Sequence, residues 1–135
     1  MKKAIFINFD NIIVNRNVFV EFCKQKGDTT SINDLLIKKE KGEISSLEFA
    51  KYSVHNLNKF TKKDLIKFMN RTCSENDMIY FVNETIKILK NEYGYEIYIL
   101  SDTFYEIIEY YIDNDILLNI NKNNVYCNRL HYNQS

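Results

Sequence analysis

Ile5-Phe6-Ile7-Asn8-Phe9-Asp10-Asn11-Ile12-Ile13-Val14-Asn15 begins as an apolar run and breaks at small polar side chains. The continuous apolar stretch from Lys3 to Asn8 predicts a buried parallel strand whose C-terminal edge opens onto a loop. Asn8 and Asp10 leave that edge two residues apart. A second segment, Ile97-Tyr98-Ile99-Leu100-Ser101-Asp102, ends in the same manner, with a hydroxyl and a carboxyl. A hydroxyl with free backbone N–H groups ahead of a helix makes an anion cradle. Paired acids at the first edge would offer a nucleophile and a general acid/base, and together the two edges describe a phosphate site. The plainer alternative reads Asn8 and Asp10 as turn residues capping backbone groups and Ser101-Asp102 as a helix N-cap.

Helical spacing fills the rest of the chain. Val18, Phe19 and Phe22 share one face, and Leu35, Leu36 and Ile37 lie in the next segment before Gly42 interrupts it. Ser45 stands three before Glu48, and Thr61 three before Asp64, two capping-box starts. The first predicts a helix through Leu57; the second leads into Leu65, Phe68 and Met69 at i, i+3, i+4. From Asn76, Ile79, Val82, Ile86 and Leu89 keep the spacing up to Gly94. Tyr95 to Leu100 is the second strand, residues 103–113 are helical, and Asn124 to Cys127 form a third strand. Strands joined by helices predict a parallel α/β sheet. The helices of residues 15–75 are too many for one crossover, so they form a helical insertion over the strand ends, where open α/β sheets bind ligands.

Composition bounds the function. The chain has 135 residues, 45% hydrophobic and 14% aromatic, which is one globular domain. Lys+Arg 18 against Asp+Glu 18 balance to zero, removing the electrostatic case for nucleic acid or anionic membrane. No apolar run approaches the ~20 residues of a bilayer span, and the apolar stretch after Met1-Lys2-Lys3 is too short for a signal peptide. Cys23, Cys73 and Cys127 are odd in number and far apart, so neither a CxxC metal site nor a disulfide framework is expected, and the cytoplasm is the default compartment. His55 and His131 lack partner spacing and read as structural or solvent-exposed; Tyr105, Tyr110 and Tyr111 read as core and rim. Lys38 to Lys41 reads as a solvated helix end.

The ordered motifs resemble the haloacid-dehalogenase-like (HAD) phosphatase superfamily, whose first motif is Asp-x-Asp-x-Thr after a hydrophobic strand. The closer resemblance is to the phosphoserine-phosphatase-like branch, including the methionine-salvage enol-phosphate phosphatase. Asn8-Phe9-Asp10-Asn11-Ile12-Ile13-Val14-Asn15 is similar to Asp-Phe-Asp-Ser-Thr-Leu-Val-Asn, and Gly42-Glu43-Ile44-Ser45 to a cap-domain Gly-Glu-Ile-Ser. Tyr98 to Phe104 resembles the second motif, and Val125-Tyr126-Cys127-Asn128 the Ile-Tyr-Cys-Asn that follows it.

The resemblance implies a HAD-like Rossmannoid parallel sheet, incomplete here, made of residues 1–14 and 76–135, with a small helical cap of residues 15–75. It implies a small phosphorylated metabolite as ligand and Mg²⁺ as cofactor. Asn8 takes the nucleophile position, Asp10 the acid/base position, both of them metal positions, and Ser101 and Asp102 the phosphate-holding positions. The chain departs from the pattern at several of these. Asn8 has no carboxylate, Ile12 replaces a Thr, and Asn17 and Ser53 stand where the phosphoserine enzymes carry a substrate-sensing Glu and a cap Arg. Lys122, the only lysine after Ser101, comes before the third strand, and residues 123–135 contain no Asp or Glu. The expectation is a phosphatase-like domain with little or no turnover. The alternatives are a non-catalytic binding module, and a truncated product or an engineered chain lacking the last motifs. An incomplete parallel sheet leaves an open edge, from which a homodimer is expected.

Overall fold

The structure, a computed structural model, describes residues 3–57 and 60–130. It is built from β1 (Lys3–Ile7), α1 (Val18–Lys26), α2 (Thr29–Glu40), α3 (Ser46–Asn56), α4 (Lys62–Thr72), α5 (Val82–Asn91), β2 (Tyr95–Phe104), α6 (Tyr105–Asp113) and β3 (Val125–Asn128), with 3₁₀ turns at Glu75–Asp77 and Lys122–Asn124. The strands form one parallel sheet in the order β1-β2-β3, with Ile5 opposite Ile97 and Ile99 opposite Val125.

That order puts successive parallel strands on one side of each other. Right-handed crossovers then carry their helices to the same face of the sheet. α5 and α6 pack on β2, and Ile97, Ile99 and Val125 are buried beneath them. The opposite face is bare: Phe6, Leu100 and Tyr126 are each more than half exposed. Their rings lean on one another instead, Phe6 on Tyr98 at 5.0 Å and Tyr98 on Tyr126 at 6.1 Å between centroids.

The helices between β1 and β2 follow their caps. Ser45 with Glu48 and Thr61 with Asp64 close two reciprocal capping boxes; each satisfies two backbone donors that a helix start leaves open. Val18, Phe19 and Phe22 of α1 and Leu65, Phe68 and Met69 of α4 are buried as their spacing predicts. Phe22 meets Phe60 and Phe68 edge-on, at 5.5 Å each. Gly42 and Gly94 take the left-handed backbone, with φ +75° and +70°, where the chain turns out of α2 and α5.

Two expected boundaries move. α5 starts at Val82 rather than Asn76, because the residues before it pair with the β1 loop: the N–H of Asn15 donates to Asp77 O at 2.8 Å, and that of Ile79 to Ile13 O at 2.9 Å. Phe81 then turns with φ 66°. β2 runs on past Leu100 to Phe104, so α6 begins at Tyr105 and not at 103. Phe104 is held there by pairing with Asn128 and by its ring against Phe19 at 4.5 Å. Of the histidines, His55 is exposed, and His131 lies outside the described residues.

Candidate functional site

The carboxyl ends of β1 and β2 open into a cleft of about 180 Å³ roofed by the helices that follow β1. Asn8, Asp10 and Asn11 come from the loop after β1, Asp102 and Thr103 from the end of β2, and Asn17 from the start of α1. Lys39 of α2 and Ser46, Phe49 and Ala50 of α3 close it from above. Lys39 has no carboxylate partner within ion-pair distance among the described residues; its ammonium lies 5.1 Å over the Phe49 ring.

The β1 loop is a tight turn. The N–H groups of Ile13 and Val14 donate to Phe9 O at 2.9 and 3.2 Å, and Phe9 itself is fully buried. Asn8 Oδ1 accepts from Phe9 N–H at 2.9 Å, so the turn-capping reading holds for Asn8. Asp10 differs. Its Oδ1 is shielded from solvent and has no hydrogen-bond partner. Burial pushes its carboxyl from an ordinary 3.8 up to about 6, Lys39 pulls it back and Asp102 adds to the rise. Thr103 is 4% exposed, and its Oγ1 also has no partner. Buried polar atoms are nearly always satisfied; among the described residues the exceptions are these two, on residues that line one cleft, and Ser53 Oγ, which lies outside it.

Asn8, Asp10 and Asp102 line one cleft, but Ser101 does not. Its Oγ accepts from Thr103 N–H at 3.2 Å, and because β2 continues beyond it, neither Ser101 nor Asp102 caps α6, whose N-cap is Phe104 without a side-chain cap. The hydroxyl-bearing residue of β2 that lines the cleft is Thr103, two residues on; a strand extended by one more pleat turns alternate residues to the same side. Lys122 pairs with Asp113 and Glu109, at the amino-terminal end of β3 and away from the cleft.

Lys39 is the correction to the solvated helix end. Ile32, Leu35, Leu36 and Lys39 recur at helical spacing along α2, and that inward stripe carries Lys39 to the cleft while Lys38 and Lys41 stay exposed. The stripe was present in the sequence; its direction was not.

Of the two expected metal positions, Asn8 offers a neutral amide oxygen and Asp10 a carboxylate. Octahedral Mg²⁺ needs oxygen ligands in near-ideal geometry. Asn8 Oδ1 is already engaged with Phe9 N–H, and no group of three His, Cys, Asp or Glu side chains able to hold a metal occurs among the described residues.

A parallel sheet with its site at the carboxyl ends, an acid on the loop after the first strand and a helical insertion following that loop define the HAD-like class of α/β folds. Within that class the likeness is to phosphoserine-phosphatase-like proteins. A phosphoserine phosphohydrolase-like protein from Francisella tularensis subsp. tularensis SCHU S4 superposes with a TM-score of 0.72 at 26% identity, over 94% of this chain and 58% of that one. A phospho-aspartyl intermediate analogue of phosphoserine phosphatase (TM-score 0.73, 24% identity) matches 98% of this chain and 58% of its own. A substrate-bound phosphoserine phosphatase complex (0.74, 24%) matches 98% and 59%. The chain thus spans less than two thirds of the length of these structures. No family model and no curated protein matches the sequence.

Proposed function

We propose that the chain is a HAD-like domain, with residues 1–14 and 76–135 as core and 15–75 as cap, that binds a small phosphomonoester and turns it over little or not at all. The observation that carries this is the cleft holding Lys39 beside two orphaned polar atoms, Asp10 Oδ1 and Thr103 Oγ1. A phosphate oxygen would take the Thr103 hydroxyl hydrogen and sit against the Lys39 ammonium. Asp10, once protonated, is a further donor; ionised, it repels the anion together with Asp102. Affinity therefore rises as pH falls through about 6, where Asp10 takes up its proton. Turnover is limited by Asn8. A neutral amide is a very poor nucleophile toward phosphorus, and it has no carboxylate from which to build the phospho-aspartyl species described for phosphoserine phosphatase.

Titration with inorganic phosphate and sulfate, followed by NMR, tests the reading. Shifts should centre on residues 8–11, 39 and 102–104, and p-nitrophenyl phosphate with Mg²⁺ should not be hydrolysed. A Mg²⁺-dependent hydrolysis abolished by Asp10→Ala would overturn the claim of impaired turnover. Asn8→Asp alone should not restore activity, because residues 123–135 still supply no Asp or Glu.

The bare aromatic face favours a second reading as an interaction module. The proposed occupant is a second copy of the chain: parallel sheets are ordinarily covered on both faces, and a formal net charge of zero opposes no self-association. Sedimentation velocity that remains monomeric at high protein concentration would refute it. The compartment we propose is the cytoplasm, since the described cysteines are all unpaired; no described helix is long and apolar enough to cross a membrane.

A further inference from the structure

A second cavity, a groove of about 300 Å³, lies beside the cleft between α3 and the end of β3. Leu47 and Val54 of α3 and Leu130 beyond β3 make its walls apolar. Ala50 and Phe104 line the groove and the cleft alike, so the two adjoin at these residues. Lys51 and Arg129 add two cations and no acid lines the groove. Neither cation has an ion-pair partner among the described residues; the Arg129 guanidinium lies 4.1 Å over the Tyr105 ring, a stacking that restrains it at the rim.

We propose that this groove takes the organic part of the phosphomonoester, and that this part is a short apolar group bearing its own carboxylate. The inference rests on the phosphate-binding reading of the cleft. An ester whose phosphate sits among Lys39, Asp10 and Thr103 leads its carbon chain over Ala50 and Phe104 onto Leu47 and Val54, where Lys51 and Arg129 meet a terminal anion. The same lining disfavours phosphoserine. Its side chain is too short to cover the apolar wall.

Calorimetry on the full chain with four ligands tests this: inorganic phosphate, hexyl phosphate, 6-(phosphonooxy)hexanoate and O-phosphoserine. Burying several methylenes should make hexyl phosphate bind at least about tenfold tighter than inorganic phosphate. The terminal carboxylate should add about threefold more, a gain lost in Arg129→Gln. O-phosphoserine should bind no better than phosphate. Leu47 is on the surface, 53% exposed, so Leu47→Asp should fold, and the hexyl-to-inorganic phosphate ratio measured on that variant should fall to near one. If inorganic phosphate binds but hexyl phosphate gains nothing, or the gain survives Leu47→Asp, the groove assignment is wrong and the cleft stands. If neither binds, the cleft reading falls and takes the groove with it.

Discussion

Asp77 accepts hydrogen bonds from three donors, whereas Asp10 keeps a shielded oxygen with none. Asp77 Oδ2 receives Ser74 N–H at 2.9 Å, Tyr111 O–H at 2.8 Å and Arg16 Nη1 at 3.2 Å. Arg16 in turn donates to Thr72 O at 2.6 Å, so the cluster ties the end of α4 to the start of α1 and to buried Tyr111. Both acids are half-buried. One has been fully used by the fold, and the other has been left with capacity that only a ligand can take up. A shielded carboxylate without donors costs stability, and that cost is tolerated where it serves a site.

The largest effect should come from breaking the satisfied acid. Asp77→Ala leaves Arg16 and the Tyr111 hydroxyl short of a partner and should cost about 3 kcal/mol, read from urea unfolding. A loss under about 1 kcal/mol would mean that the cluster is decoration and the contrast false.

Asp10→Asn should act in the opposite direction. Folded Asp10 gains its proton at about 6 and the ordinary value is 3.8, so between those pH values the folded state binds more protons than the unfolded one. Stability contributed by this group therefore falls as pH rises from about 4 to 6, and the penalty persists at neutral pH. The variant should gain about 2 kcal/mol at pH 7 and nothing below pH 4. A destabilised Asp10→Asn at pH 7 would show that Asp10 is structural after all.

Smaller changes sharpen the role of the unsatisfied acid's surroundings. Lys39→Gln should weaken sulfate binding about tenfold at pH 7, with Lys39→Arg retaining most of it and Lys41→Gln without effect; each tenfold is about 1.4 kcal/mol. Equal losses in Lys39→Gln and Lys41→Gln would reduce Lys39 to general surface charge. Smallest is the hydroxyl: Thr103→Val should cost a few-fold in sulfate affinity and Ser101→Ala less than twofold, because Thr103 lines the cleft and Ser101 does not. The reverse order would restore Ser101 as the anion's partner.

Much of the fold was legible because its signals are local. The two capping boxes, the buried stripes of α1 and α4 and the three strands each follow from residues within a turn or a pleat of one another. The errors fell where distant chain segments decide. The start of α5 shifted because Ile13 and Asn15 claim the backbone of residues 77–79. The end of β2 shifted because Asn128 pairs with Phe104, and its Nδ2 donates to Asp102 O at 2.7 Å. That second shift moved the hydroxyl of the site from Ser101 to Thr103.

By itself the sequence determined the α/β alternation, the helix starts at Ser45 and Thr61 and the polar residues that follow the apolar runs of β1 and β2, since period, caps and strand ends are written in neighbouring residues. Only the tertiary structure decided that Lys39 supplies the cleft's cation, that Thr103 lines the cleft and that a groove opens beyond Ala50 and Phe104. Those features depend on how α2 and α3 settle over the ends of β1, β2 and β3, and long-range packing between segments tens of residues apart leaves no local signature in the chain.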